Sequence, residues 1–336
     1  MQNQLKIIAE IGVNHNGSFK LAKKLVDEAK KCGAHAVKFQ TFVAENFVTK
    51  NTPKVKYQKL NTNKKENHFD MIKSLELKKI EFLELKKYCV KKKIEFISTP
   101  YDLESAKFLQ SIKIKTFKVA SADITDYLLH KYISGTGKKV IISTGMANLK
   151  EISQVIKIYK KKNKVQLLHC VSNYPCSHES LNLDCIKLIN KIFNIPVGFS
   201  DHTTGSDAAI IALGCGAKLF EKHFTLSKKM KGPDHKASME PKEFKKYVNR
   251  IKLAEKMMGR PIKKIHEEEK EMKKISSKSI TLKKSLLKNS KIKLSDLIMK
   301  RPGTGMNGFQ IKKVIGKKIK KNLFKNYQLS PKDLLS

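Results

Sequence analysis

A (β/α)₈ barrel (TIM barrel, class α/β) followed by a small β-rich module is the architecture that this 336-residue sequence predicts. Eight short apolar runs recur within about 255 residues, each followed by a helical pattern. The runs are continuous rather than alternating, as parallel strands covered on both faces require. After Gly259 the chain changes to short apolar pieces broken by proline and glycine. A doubly wound open sheet competes with the barrel, but no GxGxxG follows any strand.

The first strand is read over Leu5–Val13 (LKIIAEIGV), and HNGS supplies a turn with an N-cap at Ser18. The next helix places Phe19, Ala22, Leu25, Val26 and Ala29 on one stripe and stops at Gly33. Strand Ala36–Phe42 completes a βαβ unit. Asn46–Ser74 is a long polar excursion, a length that suits a functional loop. A helix near Lys78–Lys92 leads to strand Glu95–Pro100, and a helix over Leu103–Ser111 to strand Thr116–Ser121. Helix Tyr127–Ser134 precedes strand Lys139–Gly145, and helix Leu149–Lys161 precedes strand Val165–Ser172. After a helix over Leu183–Phe193 come two strands that end near histidines, within Val197–Gly205 and Leu219–Leu226, with Asp207–Gly214 helical between them. Helix Pro241–Met258 closes the barrel, with proline at its start and Gly259 at its end. Residues 1–259 therefore form the barrel, 260–275 a charged linker, and 276–336 the small module.

The formal charge of +40 invites a nucleic-acid reading. Only Arg250, Arg260 and Arg301 among the 70 basic residues are arginines, whereas base and phosphate recognition leans on arginine forks. The lysines follow the polar faces of helical patterns along the whole chain, so a solvated surface is expected, with no nucleic-acid partner. The six cysteines form no CxxC pair and read as reduced. The apolar run Ile7–Val13 is short and interrupted by Glu10, so neither a secretory segment nor a membrane span is expected, and the location read is cytoplasmic.

Barrel enzymes carry their chemistry at the C-terminal strand ends. In chain order these ends offer Glu10 with Asn14 and His15, Lys38 and Gln40, Ser98 and Thr99, Lys118 and Ser121, and Ser143 and Thr144. His169, Ser172 and Tyr174 follow, then Ser200, Asp201 and His202, then Glu221 and His223. On neighbouring parallel strands, His202 and His223 emerge at one edge, where two neutral imidazoles can bind a divalent cation. Lys38 and Lys118 lie inside apolar runs, where an unpaired ammonium is costly. Each is either a Schiff-base nucleophile or the counter-charge of an anion, and with Thr99, Ser121, Ser143 and Ser200 nearby an anion cage is the better choice. Glu10 is a base, a partner of metal-bound water or an ion-pair partner of a lysine. The reading is a metal-dependent barrel enzyme that handles a phosphate-bearing substrate.

AEIGVNHNG, KFQ, STP, FKVAS, ISTGM, HCVSNYP, SDHT, EKHFT, GPDHKASMEP and RPGTGM, in this order, closely resemble the sialic acid (N-acetylneuraminate) synthase family, which includes legionaminic and pseudaminic acid synthases. HCVSNYP and DHKASMEP lean toward the legionaminic branch. The resemblance extends to the C-terminal module, which looks like the antifreeze-like (SAF) domain, with Asn289 where the family commonly has glycine. It implies condensation of phosphoenolpyruvate with an N-acyl mannosamine-type sugar, N-acetylmannosamine or 2,4-diacetamido-2,4,6-trideoxymannose, to give N-acetylneuraminate or legionaminate and phosphate. It implies that His202 and His223 bind a divalent ion, Mn²⁺ or Mg²⁺. Lys38, Thr99, Lys118, Ser121, Ser143, Ser172 and Ser200 would hold phosphoenolpyruvate. Glu10, Gln40, Tyr174, Glu221 and Asp234 would contact the sugar or the reacting groups, with Glu10 handling the proton. The family's domain-swapped homodimer implies that Arg301 contacts the sugar's N-acyl group. Another phosphoenolpyruvate-condensing barrel, of the 3-deoxy-octulosonate phosphate synthase type, is the alternative enzyme.

Overall fold

A computed structural model describes residues 4–62, 66–159 and 163–335. It divides into two compact units, Met1–Gly259 and Arg260–Ser336.

The first unit is a closed barrel of eight parallel strands in sequential order: β1 (Lys6–Gly12), β2 (Ala36–Thr41), β3 (Glu95–Pro100), β4 (Thr116–Val119), β5 (Lys139–Ser143), β6 (Val165–His169), β7 (Val197–Asp201) and β8 (Leu219–His223). Pairing of β8 with β1, Ile8 opposite Glu221 and Glu10 opposite His223, closes the ring. Alternation along each strand sends every second side chain inward. Ile8, Ala36, Ile97, Ile141, Leu168 and Leu219 fill the barrel interior as one apolar plug. Their neighbours Ile7, Ala9, Val37, Phe117, Val140 and Phe199 face the helices in the larger core. Stepping two residues along β1, β2 or β8 from this plug reaches Glu10, Lys38 or Glu221, so the charged layer lies directly above an apolar floor.

Helices Leu103–Ser111, Asp207–Gly214 and Pro241–Met258 form with the bounds read from sequence. The helix expected over Leu149–Lys161 runs from Leu149 to Ile158, and its predicted end at Lys160 and Lys161 lies outside the described residues. The excursion after β2 contains short helices at Ala44–Phe47, Lys56–Asn61 and His68–Ser74. The first and last are anchored by a small cluster of Val13, Phe42, Ala44, Met71, Ile72 and Leu75, while Asn61 of the middle one donates to Pro233 O at 3.0 Å. This cluster explains why a polar stretch adopts a defined shape over the barrel mouth.

The second unit pairs β9 (Ser279–Leu282) with β10 (Leu297–Lys300) in antiparallel register around Ile280, Leu282, Ile292, Val314, Ile319 and Leu329. Asn289 adopts the left-handed conformation, φ 66°. The stretch 260–275, read as a linker, forms a helix over Glu267–Ser276 that buries no residue. Acidic residues in its first turn and lysines in its last suit the helix dipole, so charge placement favours a helix that no apolar stripe supports. All six cysteines are free. Among the described residues, no helix is long and apolar enough to cross a membrane.

Candidate active site

The mouth of the barrel encloses a cavity of about 770 Å³. Glu10, Lys38, Gln40, Lys118, Ser121, Ser143, Ser172, Tyr174, Ser200, His202, Glu221, His223 and Asp234 all line it. Thr99 sits just behind and accepts a 3.3 Å hydrogen bond from Lys38 Nζ. Arg301 belongs to the second unit, where it is exposed after β10.

Lys38 is the hub of the layer. Its Nζ lies 2.8 Å from Glu10 Oε1 and 3.9 Å from Glu221 Oε2. Burial pulls its pKa down, but the two carboxylates outweigh burial and hold it above the ordinary value. For Glu10 burial dominates and raises the carboxyl despite Lys38. Burial also raises Glu221, yet Lys118, Lys38 and a hydrogen bond from Ser200 reverse this, and its pKa falls. Two neighbouring carboxyls are thus pushed apart, the pattern by which acid and base roles separate. Glu10 Oε2 and Glu221 Oε2 are buried without hydrogen-bond partners, so both keep unspent acceptor capacity in the charged layer.

Lys118 donates to Ser143 Oγ at 2.6 Å and to Val119 O at 3.0 Å. Burial lowers its pKa, although Glu221 partly compensates. An anion here would complete the lysine's ion pairing. Gly145 keeps this corner open: its amide donates to Ser121 Oγ, and an added Cβ would stand 2.6 Å from Ser172 Oγ and 2.9 Å from Ser121 Oγ.

The imidazoles approach as the strand ends required, with ring centroids 5.7 Å apart. His202 Nδ1 lies 2.6 Å from the acceptor Val171 O, so Nδ1 carries the proton and Nε2, 3.4 Å from Ser200 Oγ, keeps its lone pair. Burial lowers His202 to about 4 and His223 well below its ordinary value, so both rings are neutral at pH 7. Tyr174 packs against both, its ring centroid 4.2 Å from that of His202 and 5.4 Å from that of His223. Asp234 Oδ2 is 3.9 Å from His223 Nδ1, and burial with help from Glu10 raises Asp234 to about 7. Among the described residues, no group of three or more His, Cys, Asp and Glu is placed to hold a metal ion, so a cation here would draw on two imidazoles with water and substrate.

Other strand-end residues build the scaffold. Asn14 Nδ2 donates to Phe224 O and Ser238 Oγ, and His169 Nε2 contacts Leu181 O at 2.7 Å. Asp201 points outward and pairs with Lys222 at 3.0 Å, both fully buried. Sequence reasoning missed Cys170, whose buried thiol lies 3.2 Å from Ser121 Oγ in the cavity. Inward-facing Leu168 two residues earlier was the available signal. It also missed Tyr57 and Tyr101, which line the cavity from the excursion and from the end of β3. Asp123, two residues after Ser121 and outside the cavity lining, is raised to about 7 by burial and Asp126.

The chain is 41% identical over 94% of its length to the N,N'-diacetyllegionaminic acid synthase of Legionella pneumophila, covering 91% of that protein. It is 40% identical, over 94% of its length and 96% of the relative, to the enzyme of the same name from Campylobacter jejuni. The crystal structure of an N-acetylneuraminic acid (sialic acid) synthetase from Leptospira borgpetersenii superposes with a TM-score of 0.71 at 34% identity, over 81% of this chain and 90% of that one. The NeuB family model matches residues 25–263, and the chain belongs to the NeuB family.

Proposed function

We propose that the protein is a nonulosonic acid synthase that condenses phosphoenolpyruvate with an N-acyl mannosamine-type sugar and water, releasing phosphate. The observation that carries this is one cavity holding two buried lysines, two carboxyls with opposed pKa shifts and two neutral imidazoles. Lys38, Lys118 and the hydroxyls of Thr99, Ser121, Ser143, Ser172 and Ser200 bind the phosphate and carboxylate of phosphoenolpyruvate. Gln40, Tyr174 and Asp234 orient the sugar. The enol carbon forms a bond to the sugar's aldehyde carbon, and water adds to the resulting cationic carbon, returning one proton to Glu10. The tetrahedral intermediate then breaks its C–O bond to phosphate, and its hydroxyl proton leaves with the phosphate as the ketone forms. Glu10 delivers the proton that the aldehyde oxygen takes up, while ionised Glu221 stabilises the cationic carbon.

His202 and His223 would hold a divalent ion, Mn²⁺ or Mg²⁺, whose Lewis acidity polarises the aldehyde when bound. The sugar favoured is 2,4-diacetamido-2,4,6-trideoxymannose. Phe47, Met71, Ile72 and Leu75 give the cavity an apolar wall suited to a 6-deoxy carbon, and the two relatives above are legionaminic acid synthases. The second unit acts as a SAF-like module of a domain-swapped homodimer, and Arg301 of one protomer serves the sugar bound by the other. Incubation with phosphoenolpyruvate and Mn²⁺ should release phosphate with the diacetamido sugar or N-acetylmannosamine. Release only with a phosphorylated aldose would transfer the chain to the octulosonate-phosphate type.

A further inference from the structure

A second cavity of about 310 Å³ lies in the barrel unit, beside the mouth. Its walls come from the turn after β7 (Thr203–Asp207), the segment after β8 (Lys228–Met239) and helix Pro241–Met258. Only Pro175 also lines the larger cavity.

Ser206 marks this cavity as built for a ligand. It is the N-cap of helix Asp207–Gly214, and a serine there ordinarily accepts a hydrogen bond from the helix's first turn. Here φ −128° and ψ −1° turn it away, and no side-chain cap forms. Its hydroxyl, in a residue only 6% exposed, has no hydrogen-bond partner among the described residues and lines the cavity. The first intrahelical bond runs from Ile210 N to Ser206 O, so the amides of Asp207, Ala208 and Ala209 have no partner within the helix. A hydroxyl on the cavity wall with no acceptor in the protein, at the start of a helix, is a donor set suited to an anion.

The charges fit an anion. Lys228 is held by Glu243 at 2.7 Å and Arg250 by Asp207 at 3.1 Å, so these four cancel. Lys236 and Lys246 have no ion-pair partner among the described residues, which leaves the lining with two uncompensated cations. Barrels often bind phosphate between the loops after their seventh and eighth strands, at a helix N-terminus. The volume is roughly ten times the ~30 Å³ share of a water molecule, room for a phosphate group and a small organic body.

We propose that this second cavity binds a phosphate-bearing anion, independently of the barrel mouth, through Ser206, the amides of the following turn, Lys236 and Lys246. Calorimetric titration of the full chain with inorganic phosphate, at constant ionic strength, tests it. The wild type should bind two equivalents, one at each cavity. K236M/K246M should lose one equivalent while its KM for phosphoenolpyruvate stays within twofold. Ser206→Ala should weaken the same equivalent about tenfold, the scale of a lost hydrogen bond to a charged group. A parallel titration with glucose 6-phosphate separates the sources: tighter binding than phosphate identifies an ester, weaker binding the free anion, and either supports the site. Equal phosphate stoichiometry in the wild type and the double variant would overturn it, whether or not the barrel mouth takes up phosphate. Because stoichiometry is read without turnover, failure of the assigned reaction would leave this test intact.

Discussion

Lys38 Nζ stands 2.8 Å from Glu10 Oε1, while the other oxygen of that carboxyl, Oε2, has no hydrogen-bond partner. One oxygen is neutralised and the other is free to meet a reacting group. Glu10→Gln keeps the shape and the hydrogen bond to Lys38 but removes the exchangeable proton. It should lower kcat about 10²- to 10⁴-fold with little change in melting temperature. Lys38→Met instead leaves Glu10 and Glu221 facing each other without their shared cation. It should lose activity and also destabilise the fold by about 3–5 kcal/mol, read by denaturant titration. Equal stability of the two variants would contradict the hub role of Lys38.

Asp123 gives a pH test separate from turnover. Its carboxyl titrates near pH 7 in the folded protein, raised mainly by burial, against an ordinary 3.8. Between those values the native state holds the proton more tightly than the unfolded chain, so this group's contribution to stability falls as pH rises from about 4 to 7. Asp123→Asn removes that dependence. Its melting temperature relative to the wild type should rise from pH 4.5 to pH 8, and a difference independent of pH would refute a buried, uncompensated carboxylate.

Much of this was legible in the sequence because parallel strands have a rigid period. Once Glu10, Lys38, Ser200 and Glu221 are placed on β1, β2, β7 and β8, the barrel's closure dictates that they converge, and Ser200 Oγ indeed donates to Glu221 Oε1 at 3.0 Å. Asp201 and His169 misled for the same reason, since odd and even positions face opposite sides and adjacency to a site residue means pointing away from it. Cys170 was hidden by its chemistry, because a thiol reads as core. Tyr57 was hidden by its context: nothing local says that helix Lys56–Asn61 folds back over the mouth. That depends on distant partners, Pro233, whose carbonyl accepts from Asn61, and Tyr174, against which Tyr57 packs.

The neutral imidazoles carry the metal prediction. Chelation should abolish turnover by the wild type, and added Mn²⁺ should restore it. His223→Ala should remain inactive at any Mn²⁺ concentration with an unchanged circular dichroism spectrum, because the ring packs at the cavity wall rather than in the apolar core. Isothermal titration should show loss of Mn²⁺ binding in the variant. Full activity of His223→Ala in chelated buffer would remove the ion from the proposed reaction.

Arg301 tests the role given to the second unit. It is one of three arginines in a chain with 67 lysines, which makes a requirement for its planar fork the natural reading. Arg301→Lys preserves charge and loses the paired donors, so an amide carbonyl that accepts from the fork would lose one hydrogen bond. The KM for the sugar should rise about tenfold, while the KM for phosphoenolpyruvate stays fixed. Mixing Arg301→Lys protein with inactive His223→Ala protein then asks which protomer supplies the arginine. If Arg301 serves its own barrel, every active site in the mixture carries at least one lesion and the sugar KM stays high. If it serves the partner's barrel, hybrid dimers contain one barrel with intact histidines and an intact arginine from the other chain. The mixture should then recover part of the wild-type activity at low sugar, and absence of that recovery after subunit exchange would rule out the swapped arrangement.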